Sequence, residues 1–273
     1  MVIFVVTNYN NYKYTSAMLE SLLEYGNDFR FIVVDNASSD EDRRKLRQLD
    51  ASYVQVHVIF SDTNCGYSAG LNLGIEHVIS NKYVYDVLVV GNNDLVFKEN
   101  IFKQLEECRE VIKKYPVVCP DISLPDGSHQ NPHVISGVSR FREMIYDVYY
   151  FSYFFSRIIS KIAYLTRSFT DRKDERFFDI PQLVYQGYGA CYILSPEFIL
   201  KYGSIRSRTF MMYEEYFLAQ QLAEQNDKMY YEPRIKVVHE YHAATGAMKN
   251  IDMWRIARRS HLEYRKHVKG FFY

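Results

Sequence analysis

A chain of 273 residues, 48% hydrophobic and 24% charged, carries enough apolar material for a sizeable core and is a poor candidate for general disorder. Lysine plus arginine balances aspartate plus glutamate at 33 each, which removes any whole-molecule electrostatic case for nucleic acid as a partner. The four cysteines (Cys65, Cys108, Cys119, Cys191) show neither a CxxC pair nor metal-ligand spacing, and read as small buried residues of a reducing compartment.

The opening MVIFVVTNYN has no basic flank and too short an apolar run for a leader, so it reads as a first strand. Val2–Val6 is the continuous apolar run of a strand buried on both faces. A helix capped by Thr15 or Ser16 follows to Tyr25, with Met18, Leu19, Leu22 and Leu23 on one face. Phe31–Val34 is a strand ending at Asp35-Asn36, and Ser39–Leu49 a charged helix with acids in its first turn. Val54–Phe60 reads as strand, Gly66–Asn81 as containing a helix, and Val87–Val90 as a strand ending at Gly91-Asn92-Asn93-Asp94. Glu99–Tyr115 predicts one amphipathic helix, and Val117–Cys119 a short strand.

This alternation predicts an α/β fold, a mostly parallel sheet flanked by helices. In such sheets ligands gather beyond the carboxyl ends of the strands, where both polar clusters fall. From Pro120 to about Phe178 the pattern is irregular, aromatic and locally basic. Regularity then returns with strand Tyr188–Leu194, a helix opened by Ser195-Pro196, helix Glu214–Gln225, strand Tyr230–His239 and a last helix Met253–His267. No stretch reaches the roughly 18 apolar residues that span a bilayer, so a cytoplasmic protein, soluble or peripheral, is expected.

Each candidate site residue carries a bland alternative. Asp35 can accept a hydrogen bond from a nucleobase, or simply belong to a capped strand-to-helix turn. Glycines at 66, 70 and 74 leave one helix face bare, for a ligand contacted by Asn64 and Asn72 or for a close-packed backbone. Asn92-Asn93-Asp94 can contribute one carboxylate and an amide oxygen to a divalent cation, or form an asparagine-rich turn. Glu214-Glu215 follows Phe210-Met211-Met212-Tyr213, and a carboxylate among apolar groups suits a general base, although acids at helix starts are common. His239 and His242 close IKVVHEYH and can offer a nitrogen ligand.

Taken in order, VVTNYN, VVDNASSD, NCGYSAGLNLGI, VLVVGNND, PDISLPDGSHQ, GYGACYILS, FMMYEEYFLAQQL and YYEPRIKVVHEYHAAT resemble the GT-A-fold glycosyltransferase family 2. The resemblance is to its non-processive bacterial polysaccharide and lipopolysaccharide branch. It implies a Rossmann-like GT-A domain over 1–245, with a nucleotide-binding half (1–120), an acceptor half (121–245) with an aromatic insertion (138–178), and a helical C-terminal extension (246–273). Carried across, Asp35 would bind the base, with Thr7, Asn8 and Asn36 nearby. Asn64, Gly66, Asn72, Asn92 and Asn93 would line the donor. Asp94 and His239 would hold a manganese or magnesium ion, Glu215 would be the base with Glu214 second, and Gly189 and Ala190 would lie on the acceptor side.

The implied reaction is inverting transfer of one hexosyl or deoxyhexosyl unit from a UDP- or dTDP-sugar to a hydroxyl of a growing, polyprenyl-carried surface glycan. Two departures stand out: the usual DxD is NND, and the QxxRW of processive synthases is absent. A nucleotide-sugar-binding module without catalysis is the rival reading. Residues 146–167 are dense in aromatics and include Arg157, Lys161 and Arg167. They predict either peripheral docking on an anionic inner-membrane face or burial against the catalytic domain or a second subunit of a homo-oligomer. Arg258 and Arg259 read as a solvated basic face.

Overall fold

The computed structural model describes residues 1–166, 174–240 and 250–268. The four apolar runs of the amino-terminal half form β1 (Val2–Asn8), β2 (Phe29–Asn36), β3 (Val56–Ser61) and β4 (Val87–Asn92). They pair in parallel in the order β3-β2-β1-β4. Strand alternation divides the core between the two faces. Phe4 and Val6 pack with Met18, Leu19 and Phe31, whereas Ile3 and Val5 pack with Leu71, Ile75 and Val78.

The connecting helices are α1 (Tyr12–Leu23), α2 (Asp40–Ser52) and α3 (Tyr67–Ser80). α1 begins earlier than Thr15, whose hydroxyl lies inside the helix and donates to Asn8 Oδ1 at 2.9 Å. β5 (Leu95–Val96) is a two-residue strand that the sequence did not signal. The helix expected over 99–115 is split at buried Cys108 into α4 (Ile101–Glu107) and α5 (Arg109–Lys114).

Beyond β6 (Val117–Ser123), the stretch expected to be irregular contains α6 (Arg140–Phe151) and α7 (Tyr153–Leu165). Ser139 and Ser152 cap them, accepting from Arg142 N and Phe155 N at 3.3 Å each. There follow β7 (Gln182–Val184), β8 (Cys191–Leu194), α8 (Pro196–Tyr202), α9 (Glu214–Ala223), β9 (Met229–His239) and α10 (Asn250–Arg265).

The full sheet order is β3-β2-β1-β4-β8-β6-β9-β5, with β7 on β9. The sheet is therefore parallel over its amino-terminal strands and mixed beyond β4, because β8 enters antiparallel between β4 and β6. β5 pairs antiparallel with the end of β9 and sets Leu95 opposite His239. That pairing carries a residue from the far end of the sequence to the rim where β4 stops.

Candidate active site

At the carboxyl ends of β1, β2 and β4 lies a cleft of about 920 Å³. Of the residues singled out in the sequence, Thr7, Asn36, Asn64, Gly66, Asn92, Asn93, Asp94, Gly189, Ala190, Glu214, Glu215 and His239 line it. Asn8, Asp35 and Asn72 do not. A smaller hollow of about 320 Å³, around Met1 and Asp86, sits at the opposite ends of the strands.

Asp94 and His239 are both buried, with His239 Nε2 3.1 Å from Asp94 Oδ1. His239 Nδ1 lies 2.7 Å from Gln130 Oε1. With Nδ1–H donating to that amide oxygen, Nε2 keeps a single lone pair beside Asp94, which accepts from Asn92 Nδ2 at 3.1 Å and would pass to an ion once that amide is displaced. Two donor atoms so placed match adjacent ligands on an octahedral ion, which at about 2.1 Å each lie about 3 Å apart. The pair fits a small divalent ion as a two-ligand site. Among the described residues no cluster of three such ligands exists, so oxygens of a bound molecule or water would complete the shell. His242 lies outside the described residues.

The paired acids follow a backbone that bends against its preference. Met212 and Tyr213 have φ of 71° and 67°, left-handed values that cost non-glycine residues on the order of 1–3 kcal/mol each. Glu215 Oε1 accepts from Gly189 N at 3.2 Å. A Cβ on Gly189 would stand 2.9 Å from that same oxygen, so the missing side chain makes room for the carboxylate. Glu214 is buried, and its carboxyl is raised above the usual range, first by burial and then by the charge of Glu215. The Tyr67 hydroxyl donates to Gly189 O at 2.6 Å and so braces the glycine that holds Glu215.

The three candidates outside the cleft have other duties. Asn8 is fully buried and donates to Asp42 Oδ2 at 2.7 Å and Ser38 Oγ at 3.1 Å, while Asn93 Nδ2 donates to Asn8 Oδ1 at 3.1 Å. Asp35 is fully buried and ion-paired with Arg43 at 2.9 Å. Asn72 exchanges two hydrogen bonds with the backbone of Ile205, at 2.7 and 2.9 Å. The bare helix face also divides. Cβ atoms at Gly70 and Gly74 would meet Thr7 and Val5 of the sheet, so those glycines serve close packing. Gly66, with φ of 90° and Phe210 O in contact, brings the cleft loop against the segment before the acids.

Sequence reasoning passed over Gln130, Tyr67, Tyr213 and His261. Gln130 sits in the quoted block PDISLPDGSHQ, which was its one signal. Arg258, expected in solvent, donates to Tyr150 O at 2.9 Å.

The sequence profile described as Glycosyl transferase family 2 matches residues 3–166, well over half of the chain. No curated protein sequence matches it. Among solved structures, the fold is similar to Mannosyltransferase PcManGT from Pyrobaculum calidifontis in complex with GDP-Man and Mn2+, at 15% identity and a TM-score of 0.57 over 97% of this chain and 63% of that one. GalNAc-T7 with UDP, GalNAc and Mn2+ is similar at 12% identity and a TM-score of 0.61, over 92% and 45%. S. aureus TarS is similar at 11% and 0.56, over 88% and 36%. The chain thus spans less than two thirds of the length of these structures, and at such identities the likeness is one of fold. With the profile covering both polar strand ends, the chain belongs to glycosyl transferase family 2.

Proposed function

We propose that the chain transfers a single sugar, with inversion, from a nucleotide-diphosphate sugar to an acceptor hydroxyl in the 920 Å³ cleft. The observation that carries this reading is the convergence of two different polar pairs on one cavity: Asp94 with His239, and Glu214 with Glu215. A divalent ion, manganese or magnesium, held by Asp94 and His239 would supply positive charge at the departing diphosphate. Its support here is the donor spacing of that pair and the Mn2+ named for two proteins of similar fold.

Glu214, raised by burial and by its neighbour, favours the protonated form, and Glu215, whose carboxylate is held by Gly189 N, is the proposed base. Glu215 then takes the proton of the acceptor hydroxyl, the freed oxygen bonds to the anomeric carbon, and the bond to the nucleoside diphosphate breaks. Thr7, Asn36, Asn64, Gly66 and Asn92 form the donor side, with Asn93 braced behind them by Asn8, Asn11 and Thr15, and Gly189 and Ala190 form the acceptor side. Asn8, Asp35 and Asn72 act from behind this wall, given their internal partners. A UDP- or dTDP-linked hexose or deoxyhexose remains the proposed donor, and a growing surface glycan the acceptor. The test is release of nucleoside diphosphate from UDP- and dTDP-sugars, with GDP-mannose alongside, in the presence of Mn2+. Slow release from one of them is expected. Binding of a nucleotide sugar without any release would favour a non-catalytic module instead.

The proposal extends to a lipid-carried acceptor, through α7. Phe154, Phe155, Ile158, Ile162 and Leu165 share one exposed face, and exposed Arg157 and Lys161 flank it. From Val148 to Thr170 the sequence has no carboxylate. Tyr150 stacks on His261 instead, with ring centres 4.5 Å apart, so the aromatic segment is divided between an inner and an outer face. α7 has 13 residues, and no described helix is long and apolar enough to cross a membrane. Wild type should co-sediment with phosphatidylserine vesicles at low salt and Phe154→Ser/Phe155→Ser/Ile158→Ser should not. Wild type in the supernatant would overturn the membrane reading.

A further inference from the structure

The left-handed pair Met212–Tyr213 immediately precedes α9, so its geometry decides where Glu214 and Glu215 leave the backbone. Consecutive residues of the C-terminal helix grip it from both sides. Ser260 Oγ donates to Met211 O at 2.6 Å, and His261 Nδ1 lies 2.8 Å from the Tyr213 hydroxyl. The Tyr264 ring completes the grip, 4.8 Å from that of Tyr213.

The polarity of this contact is fixed from its far end. Asp147, in α6, is buried and can only accept when ionised; its Oδ1 receives Arg265 Nε at 2.6 Å and faces His261 Nε2 at 3.0 Å. His261 Nε2 therefore carries the proton and donates to Asp147. Nδ1 is left with its lone pair and accepts from the Tyr213 hydroxyl. Arg265 is anchored in turn by Glu143, with Nη1 at 2.7 Å from Oε2, and by the carbonyl of Glu143 at 2.8 Å. At 1% exposure His261 exchanges no contact with solvent, and it touches neither wall nor mouth of the cleft. A buried, directional chain with no reactant at its end is built for placement.

We propose that His261 is a positioning residue, which with Ser260 clamps the Met212–Tyr213 turn between α10 and α6 and so aims the two glutamates into the cleft. On this account the aromatic insertion and the C-terminal helix, both remote in sequence from the nucleotide-binding half, form the back of the catalytic acid turn. The inference rests on Glu214 and Glu215 carrying the proton chemistry.

The experiment compares full-length Tyr213→Phe, His261→Phe and His261→Gln by amide exchange over residues 211–216 and by kcat and KM for nucleoside-diphosphate release from whichever UDP- or dTDP-sugar wild type turns over with Mn2+. Tyr213→Phe and His261→Phe should speed exchange of that segment about tenfold, leaving β1–β4 unchanged. They should lower kcat about 10–100-fold with KM for the donor unchanged, since misplacement of about 1 Å costs about that much. His261→Gln, which keeps an acceptor and a donor, should recover most of both. The double variant should be no worse than its worse parent, because the two residues act as one unit.

Wild-type exchange and kcat in Tyr213→Phe, or losses that add in the double variant, would overturn the clamp. Should His261→Phe not fold, Tyr213→Phe carries the comparison, because it deletes a single oxygen. If Glu214→Gln and Glu215→Gln turn over normally, the base assignment fails, while exchange over 211–216 still decides on the clamp. If both are impaired and Tyr213→Phe is not, the clamp alone is wrong.

Discussion

Asn93 and Asp94 are neighbours at the end of one strand, yet they belong to two polar clusters of opposite character. Asn93 joins Asn8, Asn11 and Thr15, with bonds of 2.7–3.1 Å from its amide nitrogen to all three. Asn8 passes the network on to Ser38, Asp35 and Asp42, and Arg43 closes it on Asp35. Acids there meet amides, hydroxyls and a guanidinium, so the cluster is satisfied from within. Asp94 faces His239, and across the same cavity two glutamates stand side by side. That second cluster concentrates acids in a low-dielectric wall, an arrangement stability alone does not favour. The closed cluster holds strand ends in register; on the proposed reading the open one takes a positively charged ligand and a proton.

Substitutions should separate the two. Glu215→Gln keeps size and shape but removes the basic oxygen, and is expected to lower transfer about 10²–10⁴-fold with donor binding retained. Near-normal transfer would move the role to Glu214 or end it.

The His261 chain sharpens the contrast through pH. Burial pushes this imidazole down to about 4, against Asp147, which favours its charged form, and with Arg265 and Arg258, which oppose it. Below its ordinary value of about 6.5 the unfolded chain takes up a proton that the folded chain refuses until about pH 4. This group's contribution is thus intact above pH 6.5, and stability falls as pH drops from there toward 4. Urea unfolding at pH 7 and 4.5 should show a smaller acid loss in His261→Phe than in wild type. Equal losses would contradict it.

Asn8→Ala should have the smallest effect on function. It strips partners from half-buried Asp42 and from buried Thr15 and Asn93, and should cost about 1–3 kcal/mol in unfolding free energy with donor affinity unchanged. A weakened donor affinity in a stably folded variant would return Asn8 to the ligand side.

Much of this was legible because strand ends announce themselves. FIVVD and VLVVGNND switch from apolar to polar within a residue or two, which is enough to put Asp35 and Asp94 at strand ends on the rim. Which of the two would face a cavity was not legible, since that depends on Arg43 folding back from the next helix. Short β5 escaped because two residues carry no period, although it is what sets His239 beside Asp94. The turn at Met212–Tyr213 escaped for a different reason: neither residue is glycine or asparagine, so nothing local predicts positive φ. It is imposed by Ser260 and His261 from about fifty positions away. Local chemistry was readable; geometry enforced by distant helices was not.

The most direct measurement is calorimetric titration of UDP, and separately dTDP and GDP, into wild type and Asp94→Ala, with Mn2+ and with excess chelator. The account predicts that one nucleotide binds wild type far more tightly with Mn2+, and that Asp94→Ala abolishes the metal-dependent gain while leaving the weak metal-free binding in place. Equal affinity in chelator and in Mn2+ for wild type, or an undiminished gain in Asp94→Ala, would contradict it.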